Sequence, residues 1–304
     1  MDAKSTSKDN FDKLGYIAAR RQLRKLRVNS KKLVDSLFAG NYRSIFKGPG
    51  LEFQEVRQYV FGDDVRFIDW NVSSRLQDTY CKIFNEEREV SLMFLLDISS
   101  SMTCGLSSSK IKLLQEVFAL LGFAALNNGD KVGSVAFDEE MKWYTPAKTG
   151  SQHFLGQLKN LLTASQNTTI SGTELANALK VTAETMKRRG TCIILSDFKT
   201  DNYWAELFFL ARRHEVIAIR LEDALDEVFP PIGYLAIKDA EEGQLTHFYP
   251  LSKEFQQNYQ GYWETLSTTW KHNCNKRGIR TLSLRSSDDV SQCLLAFLRK
   301  RHYR

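Results

Sequence analysis

From Val90 through Leu96 the chain is almost wholly apolar, and the run stops on Asp97-Ile98-Ser99-Ser100-Ser101-Met102. An apolar run of that length closed by a carboxylate predicts a buried central strand of a parallel sheet, because a strand covered on both faces has no solvent side. The polar cluster then falls on the loop past the strand's carboxyl end, where open α/β sheets hold their ligands. Asp97, Ser99 and Ser101 alternate in sequence, so a short loop can turn one carboxylate and two hydroxyls inward together. Such an all-oxygen partial shell suits Mg²⁺, with Mn²⁺ or Ca²⁺ as substitutes, and leaves further positions to water. The same residues can equally make a plain turn or a helix cap. Oxygen ligands at the ends of other strands decide between the two.

Two more stretches supply them. Thr191-Cys192-Ile193-Ile194-Leu195-Ser196-Asp197 is a second apolar strand ending on an acid. Gly172-Thr173-Glu174-Leu175-Ala176-Asn177-Ala178-Leu179 puts a threonine at the mouth of a helix with a Leu175/Ala178/Leu179 face. At these residues the chain resembles the von Willebrand factor A fold. The metal-ion-dependent adhesion site of that fold uses Asp-x-Ser-x-Ser, a Thr from a Gly-Thr-x-Leu-x-x-Ala-Leu loop, and a later strand-end Asp. The resemblance assigns those roles to Asp97, Ser99, Ser101, Thr173 and Asp197, all present and in order.

A second signature precedes the central strand. Residues 46–53 are turn-rich, and Arg57, Tyr59, Gly62-Asp63-Asp64, Arg66 and Ile68-Asp69-Trp70 follow, with Arg75 beyond them. With Gly48, Gly50 and Phe53, this stretch resembles the bacterial "domain of unknown function 58" proteins, and the likeness spans roughly residues 40–285. Arg57, Arg66 and Arg75 beside Asp63, Asp64 and Asp69 predict a tied network of bidentate pairs, either clamping this segment to the metal-bearing domain or gripping a partner.

The chain divides into a basic helical segment (1–39), a β-rich signature segment (40–89), an A-domain-like core (90–222) and a C-terminal extension (223–304). Between residues 90 and 222 strands and helices alternate, which predicts an α/β, doubly wound, mostly parallel sheet. Helices are expected at 111–128, 152–163, 173–188 and 203–213, strands at 131–137, 141–145 (stopping before Pro146), 191–197 and 216–221. The extension adds a hairpin (234–238 and 245–249), a long helix (252–275), and a last strand (281–284) and helix (290–299) that complete the sheet.

The length of 304 residues allows a full-sized core. Five cysteines, an odd number without C-x-x-C spacing, fit a reduced compartment. The opening residues are polar, with no secretory pattern, and no stretch reaches the roughly 18 apolar residues of a membrane span. The expectation is a soluble cytoplasmic protein. The net charge of +6 is uneven: Lys13, Arg20, Arg21, Arg24, Lys25, Arg27, Lys31 and Lys32 fall in 13–34 with no acid among them, so the remainder is net negative. A basic amphipathic helix there reads as a body-packed helix with solvated cations, or as an anionic membrane-surface or nucleic-acid binder. Aromatic interleaving for single-stranded nucleic acid is absent, and no nucleic-acid partner is expected.

Enzyme motifs do not assemble. A phosphatase using Asp97 as nucleophile needs a second acid two residues on, and Ser99 stands there. Ser107-Ser108-Ser109-Lys110 matches Ser-x-x-Lys and Lys148-Thr149-Gly150 matches Lys-Thr-Gly, as in penicillin-binding serine acylases. The middle element of that family has no counterpart between them; Ser196-Asp197-Phe198 comes after and lacks the Asn. No P-loop or Rossmann glycine fingerprint is present. The reading is a non-enzymatic, Mg²⁺-dependent protein-interaction module whose ion accepts an acidic side chain from a client. The family resemblance further implies a MoxR-type AAA+ ATPase as working partner.

Overall fold

The central apolar run forms β3, Ser91–Asp97, buried from Leu92 onward. The computed structural model describes residues 52–76, 78–85, 90–103, 110–164, 172–223, 235–238, 245–248 and 252–299. The basic segment 13–34, the glycines at 48 and 50, Cys104 and residues 107–109 lie outside the described residues.

β3 sits inside a six-stranded sheet with β4 (Lys131–Phe137) and β5 (Met141–Lys148) on one side. On the other side come β6 (Thr191–Ser196), β7 (Glu215–Glu222) and β10 (Arg280–Arg285). Every neighbouring pair is parallel except β4 with the edge strand β5. The chain thus starts the sheet in its middle, fills one side, then crosses to β6 and fills the other. This is the doubly wound arrangement expected, and its switch point lies between β3 and β6, where the two carboxyl ends leave a crevice.

Alternation along β3 feeds two cores. Phe94 meets Phe118 of α3 (Lys110–Asn127) edge to face at 5.0 Å between centroids, and Phe118 meets Phe154 of α4 (Ser151–Ala164) at 5.1 Å. On the opposite face Met93 and Leu95 pack with Leu175 and Leu179 of α5 (Leu175–Thr185) and with Leu207 and Leu210 of α6 (Trp204–Arg213). Trp270 and Cys274 of α7 (Lys253–Lys276) close that layer. A Cβ on Gly122 of α3 would stand 2.1 Å from Cζ of Phe154, so the bare glycine is what lets α4 approach.

The C-terminal strand pairs with β7 and is followed by α8 (Val290–Arg299), completing the sheet as the sequence implies. The expected hairpin is present as β8 (Leu235–Lys238) and β9 (Leu245–Phe248). Three expectations are corrected. β5 does not stop before Pro146 but runs to Lys148, because an edge strand has one side whose N–H groups need no partner. The helix expected from Thr173 begins at Leu175. The Ser-rich loop after Asp97 winds into one short helix, α2 (Ser100–Thr103).

The described residues between 52 and 85 belong to a separate compact unit. In it β1 (Glu52–Gln58) pairs antiparallel with β2 (Tyr80–Asn85), joined through a 3-10 turn at Val65–Phe67 and α1 (Trp70–Leu76). Among the described residues no helix is long and apolar enough to cross a membrane.

Candidate metal centre

Asp97 ends β3 fully buried, and a buried carboxylate must have its lone pairs met. Its Oδ1 accepts from the Ser99 hydroxyl at 2.6 Å and from the Ser99 amide at 3.1 Å. Its Oδ2 accepts from the hydroxyl of Ser196, the last residue of β6, at 2.5 Å. The Ser99 and Ser101 hydroxyl oxygens stand 3.1 Å apart. Turn and constellation are thus one object: the bond to the Ser99 amide turns the chain into α2, and the same turn brings the Ser99 hydroxyl onto the carboxylate and the Ser101 hydroxyl beside Ser99.

The second acid lies across the crevice. Asp197, directly after β6, is 2% exposed and receives the Lys110 ammonium on Oδ2 at 2.5 Å. A hydrogen bond from Ser101 links it to the Asp97 group. Burial opposes its charge, but the ammonium groups of Lys110 and Lys199 and the bonds from Lys110 and Ser101 outweigh it and hold its pKa below the ordinary carboxylate value. Among the described residues Asp97 has no such cation in contact: burial, reinforced by the nearby Asp197 charge and only partly relieved by Ser196 and Ser99, pushes its pKa up to about 7.

Thr173 reaches the same rim by backbone ties. The Gly172 amide donates to Glu139 Oε1 at 2.6 Å, the Glu174 amide to the Asp138 carbonyl at 2.6 Å, and Thr200 Oγ1 to the Thr173 carbonyl at 3.2 Å. Thr173, Glu174, Lys199, Thr200, Asp201 and Asn202 border a cavity of about 370 Å³ there. Four of the five expected residues therefore form one hydrogen-bonded group, with Thr173 on the loop alongside. Lys110, Ser196 and Thr200 were not singled out for this site from the sequence. Ser196 had a signal in standing beside Asp197 at a strand end; Lys110 had one in the Ser-x-x-Lys match.

The donor set fits a small hard cation. Oxygens about 2.0–2.1 Å from Mg²⁺ at right angles lie about 2.9 Å from one another, close to the 3.1 Å between the serine hydroxyls. Once Asp97 ionises, above about pH 7, two buried carboxylates stand against the one ammonium in direct contact with them. No group of three or more His, Cys, Asp or Glu side chains suited to a metal occurs among the described residues, so an ion here would rely on hydroxyls and water.

The signature segment makes separate pairs, not one tied network. Arg57 Nη2 meets Asp63 Oδ1 at 2.7 Å, and Arg66 grips both oxygens of neighbouring Asp64 at 2.6–3.0 Å, drawing that acid down to about 2. Asp69 accepts from the amides of Asn71 and Val72 at the start of α1 and pairs with Lys82 at 3.3 Å rather than with an arginine. Arg75 sits in the last turn of α1, and Trp70 is 71% exposed. Each acid of the signature thus takes its own partner, Arg57 for Asp63, Arg66 for Asp64 and Lys82 for Asp69.

Uncharacterized proteins of Mycobacterium bovis and Mycobacterium tuberculosis are each 31% identical over 228 residues, covering 74% of this chain and 72% of theirs. Among solved structures, the SpRpn10 VWA domain aligns with 68% of this chain and 94% of its own at 11% identity and a TM-score of 0.40. The RO (RSR) protein of Deinococcus radiodurans aligns with 57% and 34% at 16% identity and a TM-score of 0.31. The model of the family described as "protein of unknown function DUF58" matches residues 55–265, and the chain belongs to that family.

Proposed function

We propose that this chain is a non-enzymatic, Mg²⁺-dependent protein-interaction module. The observation that carries the reading is the joining of Asp97, Ser99, Ser101 and Asp197 through hydrogen bonds across the β3/β6 switch point. Asp97, Ser99 and Ser101 would hold the ion directly or through water, with Thr173 from its loop and Asp197 through water. An ion held mainly by hydroxyls and one carboxylate keeps enough charge to accept an acidic side chain from a client. The chain's own part is to present those oxygens preformed on rigid strand ends, so that little ordering accompanies binding. The partner class follows from the family resemblance: a MoxR-type AAA+ ATPase, with this chain as its adaptor in chaperone-like assembly or maturation of other proteins.

The test is a pull-down with the tagged full-length chain in Mg²⁺ and in EDTA, scored for an AAA+ ATPase. Capture in Mg²⁺ that is lost in EDTA and in Asp97→Ala is expected. Equal capture by wild type and Asp97→Ala in both buffers would sink the proposal.

A further inference from the structure

We infer that Lys110 is the affinity-setting residue of the candidate metal centre: its buried ammonium holds Asp197 in place and opposes a divalent cation entering beside it. The inference rests on the metal-dependent reading above, and the experiment below separates the two.

Lys110 stands in a place that disfavours its charge. Its side chain is 3% exposed, and an ammonium removed from water needs a partner to be tolerated. The Asp197 carboxylate at 2.5 Å answers that penalty. The two residues are 87 apart in sequence, so this pair is made only by the tertiary fold. It reaches the ion's neighbourhood through Ser101, which hydrogen-bonds Asp197 and lies 3.1 Å from the Ser99 hydroxyl. The fifth ligand of the adhesion-type set is thus already paired with a resident positive charge, while among the described residues no cation contacts Asp97. Repulsion between an ammonium and a dication a few ångströms apart exceeds, even at the effective dielectric of a protein interior, the free energy of a tenfold change in affinity. Lys110 also keeps Asp197 from becoming an unpaired buried charge when no ion is bound. The site therefore folds without metal and takes it weakly, which suits a contact that a partner must complete.

The experiment is calorimetric titration of MgCl₂ into the full-length wild type, Lys110→Met, Lys110→Arg and Lys110→Met/Asp197→Asn, with thermal unfolding of each in EDTA and in Mg²⁺. Lys110→Met is expected to bind Mg²⁺ about tenfold tighter or more, to melt lower in EDTA, and to recover in Mg²⁺. Lys110→Arg keeps the charge and the wild-type affinity. The double variant regains stability in EDTA and loses the gain in affinity. If Lys110→Met folds only when prepared in Mg²⁺, the inference stands; if it is unfolded in both buffers, it falls. Mg²⁺ binding by Lys110→Met but not by wild type supports the inference while overturning a metal-dependent wild type. Equal affinity in wild type, Lys110→Met and Lys110→Arg overturns the inference and leaves the metal reading intact. No binding by any of them overturns both.

Discussion

Asp97 and Asp197 are alike in burial and opposite in titration, and the difference is the ammonium groups of Lys110 and Lys199 near Asp197. Asp97, with a folded pKa near 7 against an ordinary 3.8, binds its proton more tightly folded than unfolded. The stability this gives is present at low pH and is lost as pH rises through about 7. Asp197 acts the other way: its depressed pKa gives stability above the ordinary carboxylate range that is lost as pH falls through its folded value. In EDTA, urea unfolding of the wild type should therefore show stability declining between about pH 4 and about pH 7. Asp97→Asn should flatten that decline, and Mg²⁺ should offset it in the wild type, more strongly at the higher pH because the ion competes with the proton for Asp97. A wild-type profile that Asp97→Asn leaves unchanged would assign the decline to other groups. Ser196→Ala removes the donor on Asp97 Oδ2 and leaves a buried acceptor unpaired. The expected loss is roughly 1–3 kcal/mol by urea unfolding.

At the level of elements, packing enforces the layers that the hydrophobic pattern announces. α3 and α4 meet where Gly122 faces the Phe154 ring. Gly122→Ala gains helix propensity of about 1 kcal/mol but forces the ring aside, an overpacking that costs about 1–3 kcal/mol. A net loss of stability, partly recovered by adding Phe154→Leu, is expected from denaturant titration; a stabilised single variant would show that the ring moves freely. The elements most legible in the sequence were those with long, single-minded patterns. β3 and β6 are buried apolar runs, and α7 starts where Ser252 caps the Phe255 amide at 3.0 Å. Less legible were elements settled by a neighbour. β5 continues through Pro146 because β4 pairs with it beyond that point, at Val132 and Lys148. The start of α5 is set by Glu174 bonding to the Asp138 carbonyl, a contact 36 residues distant in sequence.

Across the whole molecule, two charge distributions make separable predictions. The pairs Arg57–Asp63 and Arg66–Asp64 lie at the surface of their own unit. Exposed pairs of this kind add little to folding, so Asp64→Ala should leave the melting temperature of the chain unchanged; a large drop would give the signature a structural role beyond its local turns. The basic run at 13–34 is the second distribution. Attraction through such a run is screened at high ionic strength, whereas an ion bridge to a buried carboxylate is screened far less. Mg²⁺-dependent capture of the partner should accordingly persist in about 0.5 M NaCl. Capture that vanishes there yet ignores EDTA would move the binding function to the basic run.

The sequence alone determined that an apolar strand must end on Asp97 inside an α/β sheet, and that serines two and four residues on could join it. Those statements are local, set by hydrophobic runs and by side-chain alternation. What only the tertiary structure decided is which groups share the crevice: Ser196 on Asp97 and Lys110 on Asp197, 99 and 87 residues apart in the chain. A single buried charge can be read from a sequence, but the charge that answers it is chosen by how the strands are ordered. Here that order sets β3 beside β6 with α3 packed against them.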